Sequence, residues 1–445
     1  MRAQTSAFRP RFEQLEAREV PSAGMLDPSF SGDGIATASF GTTYALGHDV
    51  AVLADGSVIA VGGNGFSSPP SFALAKFRPD GSPDPTFGSG GQVVTNVGSL
   101  SDQANCVAVQ TDGKIVVGGY TNAGKSDLYT SGKRNYAFAL VRYHPNGALD
   151  TSFGKSGVVK TDLDRSSDDQ IHELVLRPDG KIVVVGQSGV NMAVARYTTA
   201  GQLDPTFDGD GILVVPKLNV GEVLNAVALL PDGRIVASGN HVAVATQTVY
   251  DNRGLLVRFG ENGGLDSTFG TGGRVLTSYD TGGFTAVAIR PDGRIVAGGS
   301  TTTSTHFIAQ YTAAGAPDTT FGDDPDGDGV RTGSILAPLD TAWITDLAID
   351  SAGRIVEVGA VQNPSPESPT VSADFDFAVF RYTADGRLDD SFGTGGISIA
   401  DPTGTDREMF SAVALMADGR IVAVGSAYDY VGQRTIFAVA RYLGD

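Results

Sequence analysis

The sequence predicts an all-β ring built from one unit repeated seven times, and three observations predict it. First, a phrase Leu/Pro-Asp-x-Ser/Thr-Phe recurs, with its Asp at Asp27, Asp84, Asp150, Asp204, Asp266, Asp318 and Asp389. Second, a hairpin signal recurs in step with it. Short β-branched runs flank Pro-Asp-Gly or a relative, with turn glycines at Gly56, Gly113, Gly180, Gly233, Gly293, Gly353 and Gly419. Third, the array is cut across its ends. The first phrase has no hairpin before it, and the last unit stops at Asp445 just after its third apolar run, Phe437–Tyr442. A linear array has no reason for such a cut. A closed ring does, because the two fragments complete one unit and no sheet edge is left bare.

The elements follow in a fixed order. A first strand such as Ala226–Leu229 leads into the Asp-Gly turn. There Gly takes positive φ without steric cost, and Asp bonds its own backbone. A second strand such as Arg234–Ala237 follows. The third strand, Phe72–Phe77, has counterparts at Phe138–Tyr143, Met192–Tyr197, Leu255–Phe259, Phe307–Tyr311, Phe377–Tyr382 and Phe437–Tyr442. After the Asp-x-Ser/Thr-Phe turn comes a short fourth strand such as Gly91–Thr95. Four antiparallel strands per repeat describe a propeller blade. Gly34–Ala38 is a fourth strand with nothing before it, so it is expected to complete the blade that ends at Tyr442. The prediction is a seven-bladed β-propeller of four-stranded antiparallel blades over residues 25–445, preceded by a poorly ordered tail at 1–24.

Bulk composition narrows the function. Hydrophobic residues are 41% of the chain, which excludes a disordered protein. No apolar run reaches the roughly 18 residues that span a bilayer. A net charge of −18 argues against nucleic acid, whose phosphates need clustered Lys and Arg, and against anionic lipid. Such acidity keeps a large β protein soluble, and acidic loops also suit divalent cations. The single cysteine, Cys106, rules out an internal disulfide and reads as a small buried residue.

The repeat resembles the Delta-60 repeat family of bacterial β-propellers. The resemblance rests on Leu-Asp-Pro-Ser/Thr-Phe at Leu26 and Leu203, on Asp-Gly-Lys/Arg-Ile-Val at Asp112, Asp179, Asp232, Asp292 and Asp418, and on Phe-Ala-x-x-Arg-Tyr at Phe377 and Phe437. It implies a propeller and no defined activity. Two departures stand out: Ser351-Ala352-Gly353 replaces Pro-Asp-Gly, and Gln310 replaces the Arg or Lys before the aromatic. The stretch from Arg11 to Ala23 resembles a short N-terminal segment of many surface or exported bacterial proteins, which implies an exported, cell-surface or extracellular location.

A residue present seven times serves the blade. Phe30, Phe87, Phe153, Phe207, Phe269, Phe321 and Phe392 are expected to wedge between blades. The repeated Asp is expected to cap its own turn and to pair with Lys76, Arg142, Arg196, Arg258, Arg381 and Arg441. Chain direction puts the Asp-Gly and Asp-x-Ser/Thr-Phe turns on one face and the connections of variable length, such as 121–135, 240–253 and 361–374, on the other. Function on repeat scaffolds sits where loops vary.

On that loop face a polar collar is expected at the channel mouth: His48, Asn105, His172, Asn225, Thr285, Thr345 and Ser411. These residues either cap strand ends or take a small ligand or glycan. Asp49, Glu173 and Asp346 lie beside them and are the candidates for paired-carboxylate glycoside chemistry. Asp324, Asp326 and Asp328 open like a calcium loop, but Ile335 holds the twelfth position, where an EF-hand needs Glu. That insert reads as a solvated acidic turn or a site for one Ca²⁺. Gly119–Ser126 matches a phosphate-binding loop without the helix that would face the phosphates, so no nucleotide is expected. H-E-x-x-H, C-x-x-C and G-x-S-x-G are absent, so no catalytic residue is assigned. The leading expectation is a monomeric, non-enzymatic scaffold that binds protein or glycan through its loop face. The alternatives are a carbohydrate-active enzyme and a calcium-stabilised structural module.

Overall fold

The computed structural model describes residues 22–65, 70–98, 101–123, 135–164, 167–244, 250–277, 281–301, 306–322, 330–332, 342–363, 374–401, 408–429 and 431–445. Their strands form seven four-stranded antiparallel sheets, each made of consecutive strands with one exception. That exception is the expected closure. Ile35–Ala38 pairs with Arg434–Tyr442, from Ile35↔Ala440 to Ala38↔Phe437, as the outermost strand of the seventh blade. The innermost strands are Ala45–Val52, Asp102–Val109, Asp169–Leu176, Gly221–Leu229, Thr281–Ile289, Ala342–Ile349 and Met409–Leu415. Each contacts the next, and the last contacts the first.

The core lies between blades. The middle two strands of each sheet are buried on both faces, which is why they read as near-continuous apolar runs. Between the third and fourth blades, for example, Val183, Val185 and Val194 pack against Leu224, Val227 and Ile235. All seven wedge phenylalanines are buried. Every innermost strand bulges at its collar residue, as between Gly47 and Asp49 or Ala104 and Cys106. A glycine stands opposite each bulge. A Cβ on Gly62, Gly119, Gly186, Gly239, Gly299, Gly359 or Gly425 would collide with the facing strand's carbonyl.

On the hairpin face the expected pairing is present. Nε of Arg142, Arg196, Arg258, Arg381 and Arg441 donates to Oδ2 of Asp150, Asp204, Asp266, Asp389 and Asp27 at 2.7–2.8 Å. Lys76 Nζ lies 3.0 Å from Asp84 Oδ2. Each of these guanidiniums stacks over the wedge phenylalanine of its own turn, 4.5–5.0 Å from the ring centre. Each also donates to a carbonyl of the next blade: Thr199, Glu261, Ala313, Gly444 and Pro79 in turn.

The departure at Gln310 has a physical answer. Gln310 Nε2 still donates to Asp318 Oδ2 at 2.7 Å, and Arg290 supplies the missing guanidinium. Arg290 Nε donates to Gln310 Oε1 at 2.5 Å, and its NH2 group reaches Ala384 O in the next blade at 2.8 Å. One expected loop is shorter than the sequence implies. Strands Ile235–Val244 and Tyr250–Phe259 carry the fourth blade's hairpin outward into the 240–253 connection. Asp324, Asp326 and Asp328 lie outside the described residues, as does most of the tail.

Candidate functional site

The collar is set by the bulges, which turn one side chain per blade toward the following blade. His48 Nδ1 bonds Ala104 O at 2.9 Å, and Asn105 Nδ2 donates to Ile171 O at 2.7 Å. His172 Nδ1 bonds Leu224 O at 2.8 Å, and Asn225 Nδ2 donates to Phe284 O at 2.8 Å. Thr285 and Thr345 hydroxyls donate to Ile344 O and Phe410 O at 3.1 and 2.9 Å. The collar is therefore six stitches between neighbours. A carbonyl only accepts, so both histidines carry their proton on Nδ1. Burial lowers both imidazole pKa values and keeps the rings neutral. At the seventh junction Ser411 makes no such bond among the described residues. There Gly47 N donates to Ser426 Oγ at 3.2 Å, as Ile344 N does to Ser300 Oγ at 3.0 Å between the fifth and sixth blades.

Asp49, Glu173 and Asp346 follow the bulge in the first, third and sixth blades, where Cys106, Ala226, Ala286 and Ala412 stand in the others. Asp49 accepts from Val50 N at 2.7 Å and from Val107 N of the next blade at 2.6 Å. Asp346 accepts from Leu347 N and from Val413 N of the next blade, both at 2.8 Å. Glu173 accepts from Leu174 N at 2.7 Å. Burial pushes all three up, with Asp49 at about 8 and Asp346 at about 6. The Asp346 charge adds to the rise at Asp49, and the Asp49 charge to that at Glu173. Burial, then the charges of Glu173 and Asp49, raise the Cys106 thiol, which leaves it protonated and unreactive.

The loop face opens where the stitching stops. A cavity of about 540 Å³ lies over the sixth, seventh and first blades. Tyr44, Trp343, Phe375 and Tyr428 supply aromatic walls, and His48, Ser411, Ser426, Thr435 and Glu408 supply polar groups. Trp343 and Phe375 meet edge to face with ring centres 4.8 Å apart. The walls are built from strand ends. Trp343 opens an innermost strand opposite Ala360, and Glu408 N donates to Phe375 O at 2.9 Å, tying the sixth blade to the seventh. Tyr44 bridges to Thr435 across the closing junction. Of the collar, His48 and Ser411 reach this cavity. Sequence reasoning missed the four aromatic rings. The available signal was Trp343, the only tryptophan in the chain, at the mouth of an innermost strand. Aromatic walls with a few convergent polar groups suit a small ligand that is amphipathic on its faces.

The structure is a closed seven-bladed propeller. A family described as a domain of unknown function (DUF5122) beta-propeller matches residues 53–87, 110–153, 177–207 and 290–321. The match falls on four of the seven repeats of this chain, each time across the Asp-Gly hairpin and the Asp-x-Ser/Thr-Phe turn. No curated protein matches the sequence. Among solved structures, a catalytically inactive virginiamycin B lyase from Staphylococcus aureus with quinupristin is 11% identical, with a TM-score of 0.48 over 91% of this chain and 98% of that one. Sqt1 of Chaetomium thermophilum bound to the N-terminus of ribosomal protein L10 is 13% identical, with a TM-score of 0.48 over 91% and 99%. The polysaccharide lyase Uly1 is 10% identical, with a TM-score of 0.49 over 97% and 94%.

Proposed function

We propose that the protein is a non-enzymatic, exported or surface-associated propeller that binds a glycan in the aromatic cavity of its loop face. The supporting observation is the lining itself. Trp343, Phe375, Tyr44 and Tyr428 offer ring faces for the C–H side of a pyranose, and His48, Ser411, Ser426 and Thr435 stand where its hydroxyls would bond. The test is calorimetric titration of the full chain with a panel of soluble oligosaccharides. At least one is expected to bind, and Trp343→Ala is expected to weaken it tenfold or more while the melting temperature holds. Absence of sugar binding, with capture of a protein ligand that Trp343→Ala disrupts, would replace the glycan by a protein.

The three carboxylates beside the collar favour a second reading, a carbohydrate-active enzyme, because acids with raised pKa values suit proton transfer. Reducing-end release from the same panel, lost in Asp49→Asn or Glu173→Gln, would overturn the non-enzymatic reading. Export is read from the 11–23 segment. It is checked by fractionating cells that express the chain with and without residues 1–24.

A further inference from the structure

We propose that Asp376, Asp401 and Glu408, with the Tyr442 hydroxyl, form a calcium site that clamps the sixth blade to the seventh beside the aromatic cavity. The three carboxylates each bring one oxygen within 4.8 Å of the others. Calcium takes oxygen ligands at about 2.3–2.6 Å, so ligands across one ion stand up to about 5 Å apart. Asp376 and Glu408 are 3% and 0% exposed, whereas Asp401 is open to solvent. Two buried carboxylates side by side repel, and a cation between them removes that cost.

The other blades show what is special here. The acid at the start of the innermost strand is Asp102 in the second blade, Asp169 in the third and Glu222 in the fourth. Each faces a side chain able to donate: Thr121, Ser188 and His241 respectively. Thr121 Oγ1 donates to Asp102 at 2.6 Å, and His241 Nδ1 lies 2.8 Å from Glu222. In the seventh blade the register from Met409↔Ser426 sets Ala427 across from Glu408, and Asp376 and Asp401 of the sixth blade gather beside that acid.

Tyr442 is the independent pointer. The hydroxyls of Tyr143 and Tyr197 donate to Thr95 and Thr161, each the last residue of the preceding blade's outer strand. The same register position before Tyr442 is Ala400, the neighbour of Asp401. Tyr442 is 0% exposed, and its hydroxyl has no hydrogen-bond partner among the described residues. The register sets it toward Ala400 and Asp401, as Tyr143 and Tyr197 are set toward Thr95 and Thr161. A hard cation gives that oxygen a ligand role. An all-oxygen set rich in carboxylates suits Ca²⁺ better than Mg²⁺, which keeps most of its waters.

The test uses the full chain stripped with EDTA and titrated with CaCl₂. A calcium site that Asp401→Asn weakens tenfold or more is expected, with a melting temperature that rises as that site fills. Asp401 is exposed, so this variant is expected to fold. Asp376→Asn and Glu408→Gln are expected to abolish the site. The triple change Asp324→Asn, Asp326→Asn, Asp328→Asn is expected to leave it intact. Terbium substituted at the site is expected to show tyrosine-sensitised emission that falls at least twofold in Tyr442→Phe. No calcium binding, binding indifferent to Asp401→Asn, or loss of all binding in the triple variant would each overturn the proposal.

Discussion

The two faces of the ring obey different rules. On the hairpin face one pattern recurs: an aspartate caps its turn, a cation or Gln310 bonds it, and at six of the seven junctions a guanidinium crosses to the next blade. On the loop face six collar stitches repeat, and the seventh is missing where the ring closes. Beside that junction stand the cavity, the only tryptophan and the clustered acids Asp376, Asp401 and Glu408. Repetition marks what the fold needs. The place where the pattern lapses is where the ring carries side chains that closing it does not require. Gln310 sharpens the contrast. On the hairpin face even a lost arginine is made good by Arg290, whereas the loop face tolerates Ser411 without its stitch.

The largest expected effect tests the equivalence of the hairpin-face wedges. Phe207→Ala and Phe392→Ala should each cost roughly 3–5 kcal/mol, because both rings are wholly buried under a guanidinium. Chemical denaturation giving very unequal costs would break the claim that the junctions are alike. Next, Arg290→Met should cost about 2–3 kcal/mol, since buried charge-assisted hydrogen bonds are lost together. Adding Gln310→Arg should recover part of that loss, which a double-mutant cycle measures.

The pH dependence separates the faces by sign. Burial alone would raise Asp84 and Asp318, but the Thr86 and Thr320 hydroxyls, helped by Lys76 and Gln310, outweigh it and hold both at about 2. Their contribution is present above the unfolded value near 3.9 and lost as pH falls through about 2. Asp49 runs the other way. Burial lifts it to about 8, so its contribution is complete below about 3.9 and lost as pH rises through about 8. Melting temperature should therefore peak in mildly acidic buffer, and Asp49→Asn should flatten the alkaline limb. An unchanged limb would place the decline elsewhere.

The smallest effect compares two tyrosines. Tyr143→Phe should cost about 1 kcal/mol by stranding the Thr95 hydroxyl, whereas Tyr442→Phe in chelator should be neutral or slightly stabilising. Equal costs would show that the Tyr442 hydroxyl is satisfied after all.

What was legible in the sequence was whatever recurred. The closing strand, the hairpins, the wedge phenylalanines and the Asp–Arg pairs were all readable because seven copies average out local noise. The collar residues were legible as a set, but not their bonds, because their acceptors sit 52–66 positions away on the next blade. Nor was the cavity legible. Tyr44, Trp343, Phe375 and Tyr428 converge from three blades, and no spacing along the chain encodes a meeting that only ring closure brings about. Asp376, Asp401 and Glu408 were hidden for the same reason: each is an ordinary acid in its own strand or loop.

The first described residues, through Leu26, and the last, from Tyr442 to Asp445, lie together on one side of the disc. Gly24 N bonds Leu443 O at 2.8 Å, and Leu26 bridges Tyr442 near the Asp-Gly turns. The aromatic cavity opens on the opposite side. A tether fixed to either end would therefore hold the molecule like a plate on a stem, its decorated surface turned outward and its plain one toward whatever it stands on.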